Sequence, residues 1–366
     1  MLLKKIKFLL IVFLTTISIS LLIDFLFGKK ILNLLDPFLR NSEFYERLIR
    51  IDHKVYHHGL RKNSKYKKMR GFNGLINFCT DNHGFKYNCK NIIRGKKFDF
   101  AFIGDSFTEG IGLNYEETFA GVLEQETTKT IANLGVVSYS PSIYLSKINY
   151  FLKEGYKFNH IIVMIDVSDL YDDNFYYVLN NDLTVSTNFS RNKSLKRKEI
   201  LRSFFPLTNF YAFILRSYDK KNNIKNKTLK PSFAPHQTLK ASWTYSKNDK
   251  IIDITSISRA QIDMINKMEQ LHKLLKKNSI KMSLAVYPWP QQLKHDVVYS
   301  KHVKMWEEFC FSRCNNFINF FPNFFDKKKE SSFIDVYKKY YFWNDVHFNK
   351  EGNKLLADKL IKIIEK

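Results

Sequence analysis

Residues 160–165 read His-Ile-Ile-Val-Met-Ile, an apolar run with no polar side. A strand of that composition has no face to give to water, so it belongs in a sheet covered on both sides, the setting of parallel strands between helix layers. The run FDFAFI at 98–103 is similar, and shorter strand patterns stand at 131–134, 282–287 and 317–320. Helical patterns separate them at 118–126, 143–154, 258–277 and 300–314, with a last one at 350–364. Such alternation predicts an α/β fold, a three-layer sandwich around a central parallel sheet. In sheets of this kind the active site lies beyond the carboxyl ends of the strands.

A second constraint stands at the N-terminus. FLLIVFLTTISISLLI (8–23) is uncharged, and after Asp24 the residues Phe25, Leu26 and Phe27 extend the apolar stretch to position 27. A helix of twenty such residues spans about 30 Å, the hydrocarbon thickness of a bilayer. Lys4, Lys5 and Lys7 precede it, which favours a cytoplasmic N-terminus. No small-x-small cleavage site follows at the usual place, so the segment reads as a retained transmembrane helix. The expected organisation is an anchor at 1–30, a membrane-proximal arm at 31–97, and an α/β domain at 98–366. That domain lies on the extracytoplasmic (periplasmic) side and carries an insertion at about 172–256.

The arm is irregular by pattern, rich in His, Asn and Lys, with YHHGLRKN at 56–63 and TDNHGFKYN at 80–88. The insertion breaks the strand–helix rhythm with RNKSLKRKE (191–199), DKKNNIKNK (219–227) and Pro206, Pro231 and Pro235, and has helical character near 198–218. Four cysteines suit an oxidising compartment. Three pairings are open to them; Cys79 with Cys89 and Cys310 with Cys314 is the favoured one, against four free buried thiols.

The charge is not a nucleic-acid signature. Lys and Arg number 59 against 35 Asp and Glu, a net +24, but the chain is equally heavy in Phe (33) and Tyr (20). These residues, with Ile, Asn and Lys, share A/T-rich codons, so base composition raises the charge without selection for a polyanion. No basic helix, zinc finger or aromatic-basic RNA-binding stretch accompanies it.

Two separated motifs carry chemistry. In FAFIGDSFTEG (100–110), Ser106 follows Gly104-Asp105 at the end of the first core strand and just before a helix. A tight turn there exposes the hydroxyl, and the helix N-terminus favours developing negative charge. In WNDVHFNKEG (343–352), Asp345 and His347 stand just before the last helix. An imidazole takes a serine proton and returns it to a leaving group, while a carboxylate fixes its tautomer and steadies its charge.

Together the two motifs resemble the SGNH/GDSL hydrolase family. NLGVVSYSP (133–141) resembles its second block and IDVSD (165–169) its third, and YPWP (287–290) is similar to the long, membrane-anchored, polysaccharide-modifying members. The resemblance covers about 98–366, the insertion excepted. It implies a flavodoxin-like three-layer sandwich, Ser106 as nucleophile, His347 as general base and Asp345 as its orienting partner. It also implies an oxyanion hole built from the serine N–H, a second-block glycine N–H and a third-block asparagine side chain. Here Ser138 aligns with the second position, with Gly135 close by, and Ser168 takes the third. The usual Asp-x-x-His shortens to Asp-x-His, because Asn344 stands third before His347.

The implied activity is a serine esterase (deacetylase) or O-acyltransferase working on ester groups of an extracytoplasmic carbohydrate or small acyl ester, with no metal and no cofactor. A lipase is disfavoured, since no apolar lid helix is evident. The rival is a non-catalytic glycan-binding or envelope-assembly protein on the same fold, for which Ser138 and Ser168 speak. Other residues have two readings each: His57 and His58 at the mouth of the site or simply packed, Asp169, Asp172 and Asp173 as cation ligands or as caps, Trp289 against a sugar ring or in the core, and Lys196, Arg197 and Lys198 on an anionic surface or in solvent.

Overall fold

The structure is a computed structural model that describes residues 2–34, 49–90, 93–188, 231, 233–247 and 256–365. The chain separates into two compact units, Met1–Glu46 with Asn192–Leu229 and Arg47–Arg191 with Lys230–Lys366. The described part of the first is one helix, α1 (Leu2–Leu34). Its stretch Lys4–Ile23 has a mean hydropathy of 2.5 and no buried residue, matching a membrane-crossing helix in length and composition. Thr15 bonds back to the Ile11 carbonyl at 2.8 Å and Thr16 to that of Val12 at 2.7 Å, so neither hydroxyl is an unsatisfied donor.

The second unit opens with five short strands: β1 (Arg50–His53), β2 (His57–Leu60), β3 (Lys65–Arg70), β4 (Leu75–Thr80) and β5 (Lys86–Tyr87). β1 and β2 form an antiparallel hairpin, and β3, β4 and β5 a small antiparallel sheet. The irregular arm expected over 31–95 is thereby corrected for its described residues. β4 shows why the pattern hid it: its last three residues are buried in a row while Leu75 and Asn77 are exposed, so no period of two appears.

The core follows in chain order as β6 (Lys97–Gly104), α2 (Ser106–Glu109), α3 (Phe119–Glu126), β7 (Ile131–Asn133), α4 (Pro141–Lys153), β8 (Lys157–Ile165) and α5 (Asp169–Phe175). A hairpin of β9 (Tyr177–Leu179) and β10 (Val185–Thr187) lies within the expected insertion. Next come α6 (Pro235–Ala241), α7 (Ile257–Lys277), β11 (Lys281–Val286), α8 (Pro290–His295), α9 (Lys301–Cys310) and β12 (Asn316–Asn319). The last elements are α10 (Phe321–Glu330), α11 (Phe333–Tyr340) and α12 (Lys350–Ile364). The expected helix near 198–218 and the basic runs with Lys196, Arg197 and Lys198 lie outside the described residues.

Strands β12-β11-β8-β6-β7, in that spatial order, make one parallel sheet. Right-handed crossovers put α3 on one face and α4 with α7 on the other; α3 packs with α12, and α4 with α7. Ala101, Phe102, Ile103, Ile161, Ile162, Val163 and Ile165 are wholly buried, as strands without a polar side require. His160, the one polar residue of the 160–165 run, is satisfied by Ser283 Oγ at 2.8 Å on the neighbouring β11. The result is the three-layer α/β sandwich the alternation predicts.

The chain leaves β6 toward β7 on one side and leaves β8 toward β11 on the other. The loops after β6 and β8 therefore diverge, opening the crevice where ligands bind in such sheets. Both disulfides favoured by the spacing are formed, Cys79–Cys89 with Cα atoms 5.2 Å apart and Cys310–Cys314 with 4.8 Å.

Candidate active site

Ser106 stands at that crevice. β6 ends at Gly104, where a Cβ would lie 2.2 Å from Thr108 Oγ1 and 2.6 Å from the Met164 carbonyl; only glycine admits so close an approach. The Asp105 carboxylate then caps α2, accepting the Phe107 N–H at 2.9 Å. Ser106 is 7% exposed, and its Oγ lies 2.7 Å from His347 Nε2 and 3.1 Å from Asp105 Oδ2.

His347 comes from the loop between α11 and α12. Tyr341 and Phe348 pair across its base, the Phe342 N–H donates to the His347 carbonyl at 2.9 Å, and Asn344 makes the turn at φ 59°. The Tyr337 hydroxyl fills the loop, 2.8 Å from the Asp345 carbonyl and accepting the Asp345 N–H at 2.9 Å. One carboxylate oxygen, Asp345 Oδ1, accepts both the His347 backbone N–H at 3.0 Å and the ring Nδ1–H at 2.5 Å. Phe107 rests against the imidazole with ring centres 4.7 Å apart. The structure thus brings Ser106, His347 and Asp345 into one chain of hydrogen bonds, although 241 positions separate the first two.

The expected oxyanion donors separate. Ser138 has a left-handed backbone, φ 60°, and its N–H forms no hydrogen bond among the described residues. The Gly135 N–H, by contrast, already donates to Asn133 Oδ1 at 3.0 Å. Gly135 is there for space: a Cβ would lie 2.6 Å from Thr108 Cβ and 2.7 Å from the Glu109 nitrogen. Ser168 also turns elsewhere, its N–H to Asp166 Oδ1 at 2.6 Å and its hydroxyl toward Asp172 Oδ2 at 3.5 Å. The Gly135 N–H and the Ser168 N–H and hydroxyl are thus engaged elsewhere, while the N–H groups of Ser138 and Ser106 form no hydrogen bond among the described residues.

Residues that sequence reasoning passed over hold these loops. Arg50 on β1 makes a two-pronged pair with Glu109, three residues past Ser106, at 2.8 and 3.1 Å; Glu109 Oε2 also accepts the Val137 N–H at 2.9 Å. Lys86 on β5 donates to the Gly110 and Leu113 carbonyls at 2.6 and 2.8 Å, and burial lowers its pKa to about 8. Lys147 on α4 donates to the Leu134 carbonyl at 2.8 Å, and burial takes its pKa to about 7. Glu109 stands inside the quoted motif, yet no local signal announces a partner 59 positions away.

Beneath Ser106, Asp105, Asp166 and Asp169 converge, each offering an oxygen within 4.8 Å of the others'. By residue type they suit a hard cation, but hydrogen bonds already claim most of their oxygens. Asp166 accepts from the Ser168 N–H and, at 3.0 Å, from Trp289 Nε1; Asp169 Oδ2 accepts from the Tyr144 hydroxyl at 2.8 Å. Burial, then the neighbouring Asp166 charge, pushes Asp105 well above the ordinary carboxylate range, and Asp169 likewise, with Asp105 adding to the effect. An Asp105 that keeps its proton competes less for the Ser106 hydrogen, which is left to His347.

Asp169 Oδ1 is buried with no partner, and this has a measurable consequence. A carboxyl whose pKa is raised on folding holds protons more tightly in the folded state. Its contribution to stability is therefore greatest below the unfolded value and declines as pH rises toward the folded one. Asp169→Asn removes that decline. Its melting temperature should exceed that of wild type at pH 8, where the wild-type carboxyl has lost that contribution, and the two should converge toward pH 4. A variant less stable than wild type at both pH values contradicts this account.

The remaining candidates resolve simply. Asp173 accepts from Ser140 Oγ and the Ser142 N–H, both at 2.8 Å, capping α4, and pairs with Lys267; Asp172 pairs with Lys240. Trp289 is buried, its indole N–H on Asp166, so it belongs to the core and not to a sugar-stacking surface. A cavity of about 300 Å³ adjoins the His347 loop, lined in part by Asn73, Leu75, Asn114, Glu117, Phe342 and Asn349.

No family model and no curated protein matches the chain. Similar solved structures include the psychrotrophic esterase EstA from Pseudoalteromonas sp., at 12% identity over 74% of this chain and 97% of that one, TM-score 0.35. A putative lipolytic protein of the G-D-S-L family from Desulfitobacterium hafniense has 13% identity over 74% and 99%, TM-score 0.31. The acetylxylan esterase Axe2 from Geobacillus stearothermophilus has 12% identity over 75% and 95%, TM-score 0.34. Likenesses this distant carry no weight beside the hydrogen-bond geometry of the site itself.

Proposed function

We propose that this chain is an SGNH/GDSL-type serine esterase, anchored by α1 with its α/β unit outside the cytoplasmic membrane, that removes or transfers acyl groups on a carbohydrate, acetyl before larger ones. The observation that carries the reading is the continuous relay from Ser106 Oγ through the His347 imidazole to Asp345. In the proposed reaction His347 Nε2 takes the serine proton as Oγ bonds to the ester carbonyl carbon. The N–H groups of Ser106 and Ser138 receive the oxyanion, His347 hands its proton to the departing alcohol, and an acyl-serine remains. Water then gives a free acid; a sugar hydroxyl gives an acylated sugar.

The two disulfides favour an oxidising compartment, and the adjoining cavity is of a size for part of a sugar chain. The rival, non-catalytic reading draws on Ser168, whose hydroxyl faces Asp172 and offers no third donor. Incubating the full chain in detergent with p-nitrophenyl acetate and with an acetylated glycan separates the two. The expected result is release of p-nitrophenol and acetate, with an acetyl group detectable on Ser106 by mass spectrometry. Folded protein that neither turns over these esters nor becomes acetylated supports the rival.

A further inference from the structure

The Ser138 N–H shares its peptide unit with the Val137 carbonyl. The peptide is trans, so the two bonds point in opposite directions, and whatever holds the carbonyl aims the N–H. That carbonyl accepts from His58 Nε2 at 2.9 Å. The neighbouring peptide units have their own anchors: the Val137 N–H on Glu109 Oε2 at 2.9 Å, and the Ser138 carbonyl accepting from the Tyr177 hydroxyl at 2.8 Å. Between these anchors the Val137–Ser138 unit is held by His58.

The conformation it is held in is not the one serine prefers. Ser138 sits at φ 60°, the left-handed region that residues with a Cβ avoid. A half-turn of the peptide plane carries that φ to about −120°, on the negative side that residues with a Cβ prefer. Relaxation and loss of the donor are therefore one motion, because the flip that relieves Ser138 also turns its N–H around.

His58 donates from Nε2 only in one neutral tautomer, with Nδ1 bare. Its Nδ1 lies 2.8 Å from His57 Nδ1, and His57 Nε2 lies 2.8 Å from Thr187 Oγ1 on β10. The consistent assignment runs one way: Thr187 donates to His57, His57 to His58, and His58 to Val137. Burial keeps His58 neutral, with a pKa of about 3, and lowers His57 too. Tyr139 and Tyr177 pack around the His58 ring, the former edge-on at 4.9 Å.

We propose that His58 is a positioning residue that sets the direction of the Ser138 N–H, with His57 and Thr187 fixing its tautomer. The proposal rests on the esterase reading above, and it gives the strands before the core a part in the reaction. His58→Phe keeps a flat ring among the tyrosines and deletes the donor; His58→Gln restores an N–H. With full-length protein in detergent and p-nitrophenyl acetate, kcat of His58→Phe should fall about 100-fold with KM within about twofold, the pattern of an interaction made in the transition state. His58→Gln should recover at least tenfold of that loss, which a merely structural role would not give.

Should His58→Phe fail to fold, Thr187→Val, which touches only the far end of the relay, should still lower kcat several-fold at unchanged KM. A crystal structure of either folded His58 variant should show Ser138 at negative φ in His58→Phe and at positive φ in His58→Gln. An active wild type whose His58→Phe variant keeps kcat within about threefold overturns the positioning role alone. A wild type with no turnover above Ser106→Ala overturns the esterase reading and this inference with it.

Discussion

Ser106→Ala abolishes covalent turnover: kcat on p-nitrophenyl acetate should fall about a million-fold, to the level sustained by binding and the oxyanion donors alone. The substitution is clean because Ser106 contributes little to the fold through its hydroxyl. The cap on α2 is made by Asp105 to the Phe107 N–H, and the Ser106 N–H is retained. The hydroxyl's two neighbours, His347 Nε2 and Asp105 Oδ2, lose one hydrogen-bond partner each, while the bonds of Asp105 to Phe107 and of His347 to Asp345 remain. Melting temperature should therefore stay within a few degrees of wild type. A Ser106→Ala protein that keeps more than a hundredth of wild-type kcat would show that the nucleophile lies elsewhere.

Asp345 should rank next, and the structure orders its variants. Asp345→Ala removes the acceptor for both His347 donors, so the imidazole loses its orientation and its compensating charge. The expected fall in kcat is about 10⁴-fold. Asp345→Asn is a milder change here than the loss of an orienting carboxylate usually is. The oxygen that faces Nδ1 also accepts the His347 backbone N–H, and that fixed donor holds an amide oxygen, not an amide nitrogen, in the same place. The tautomer survives and only the charge is lost, a loss on the order of 10²-fold for a neutral acceptor in place of an ionised one. The check is a kcat comparison of the two variants at unchanged pH. Equal activities, or an asparagine variant as poor as the alanine one, would refute the shared-oxygen account.

The elements that could be read from sequence are those whose local composition is itself the cause of the structure. The apolar runs at 98–103 and 160–165 have no surface to give to water, so a buried parallel sheet is their only economical setting. A serine after Gly104-Asp105 and a histidine before the last helix fall at strand and helix ends because turns and caps are made by neighbours in the chain. The long apolar helix at the N-terminus follows from twenty residues of hydropathy alone.

The pieces that stayed hidden depend on partners distant in the chain. Strands β1–β5 are short, and β4 shows no alternation, so their register is visible only against what they touch. The two-pronged Arg50–Glu109 pair joins residues 59 apart, and His58 reaches Val137 across 79 positions. The directions of the Ser138 and Gly135 N–H groups and of the Ser168 hydroxyl could not be read either, because they are set by the hydrogen bonds of the whole loop. The residue types of the site and the layers of the fold were thus determined by local sequence. Which way the Ser138 N–H points was decided by tertiary packing, because the hydrogen bonds that hold its peptide unit and the two beside it come from residues distant in the chain.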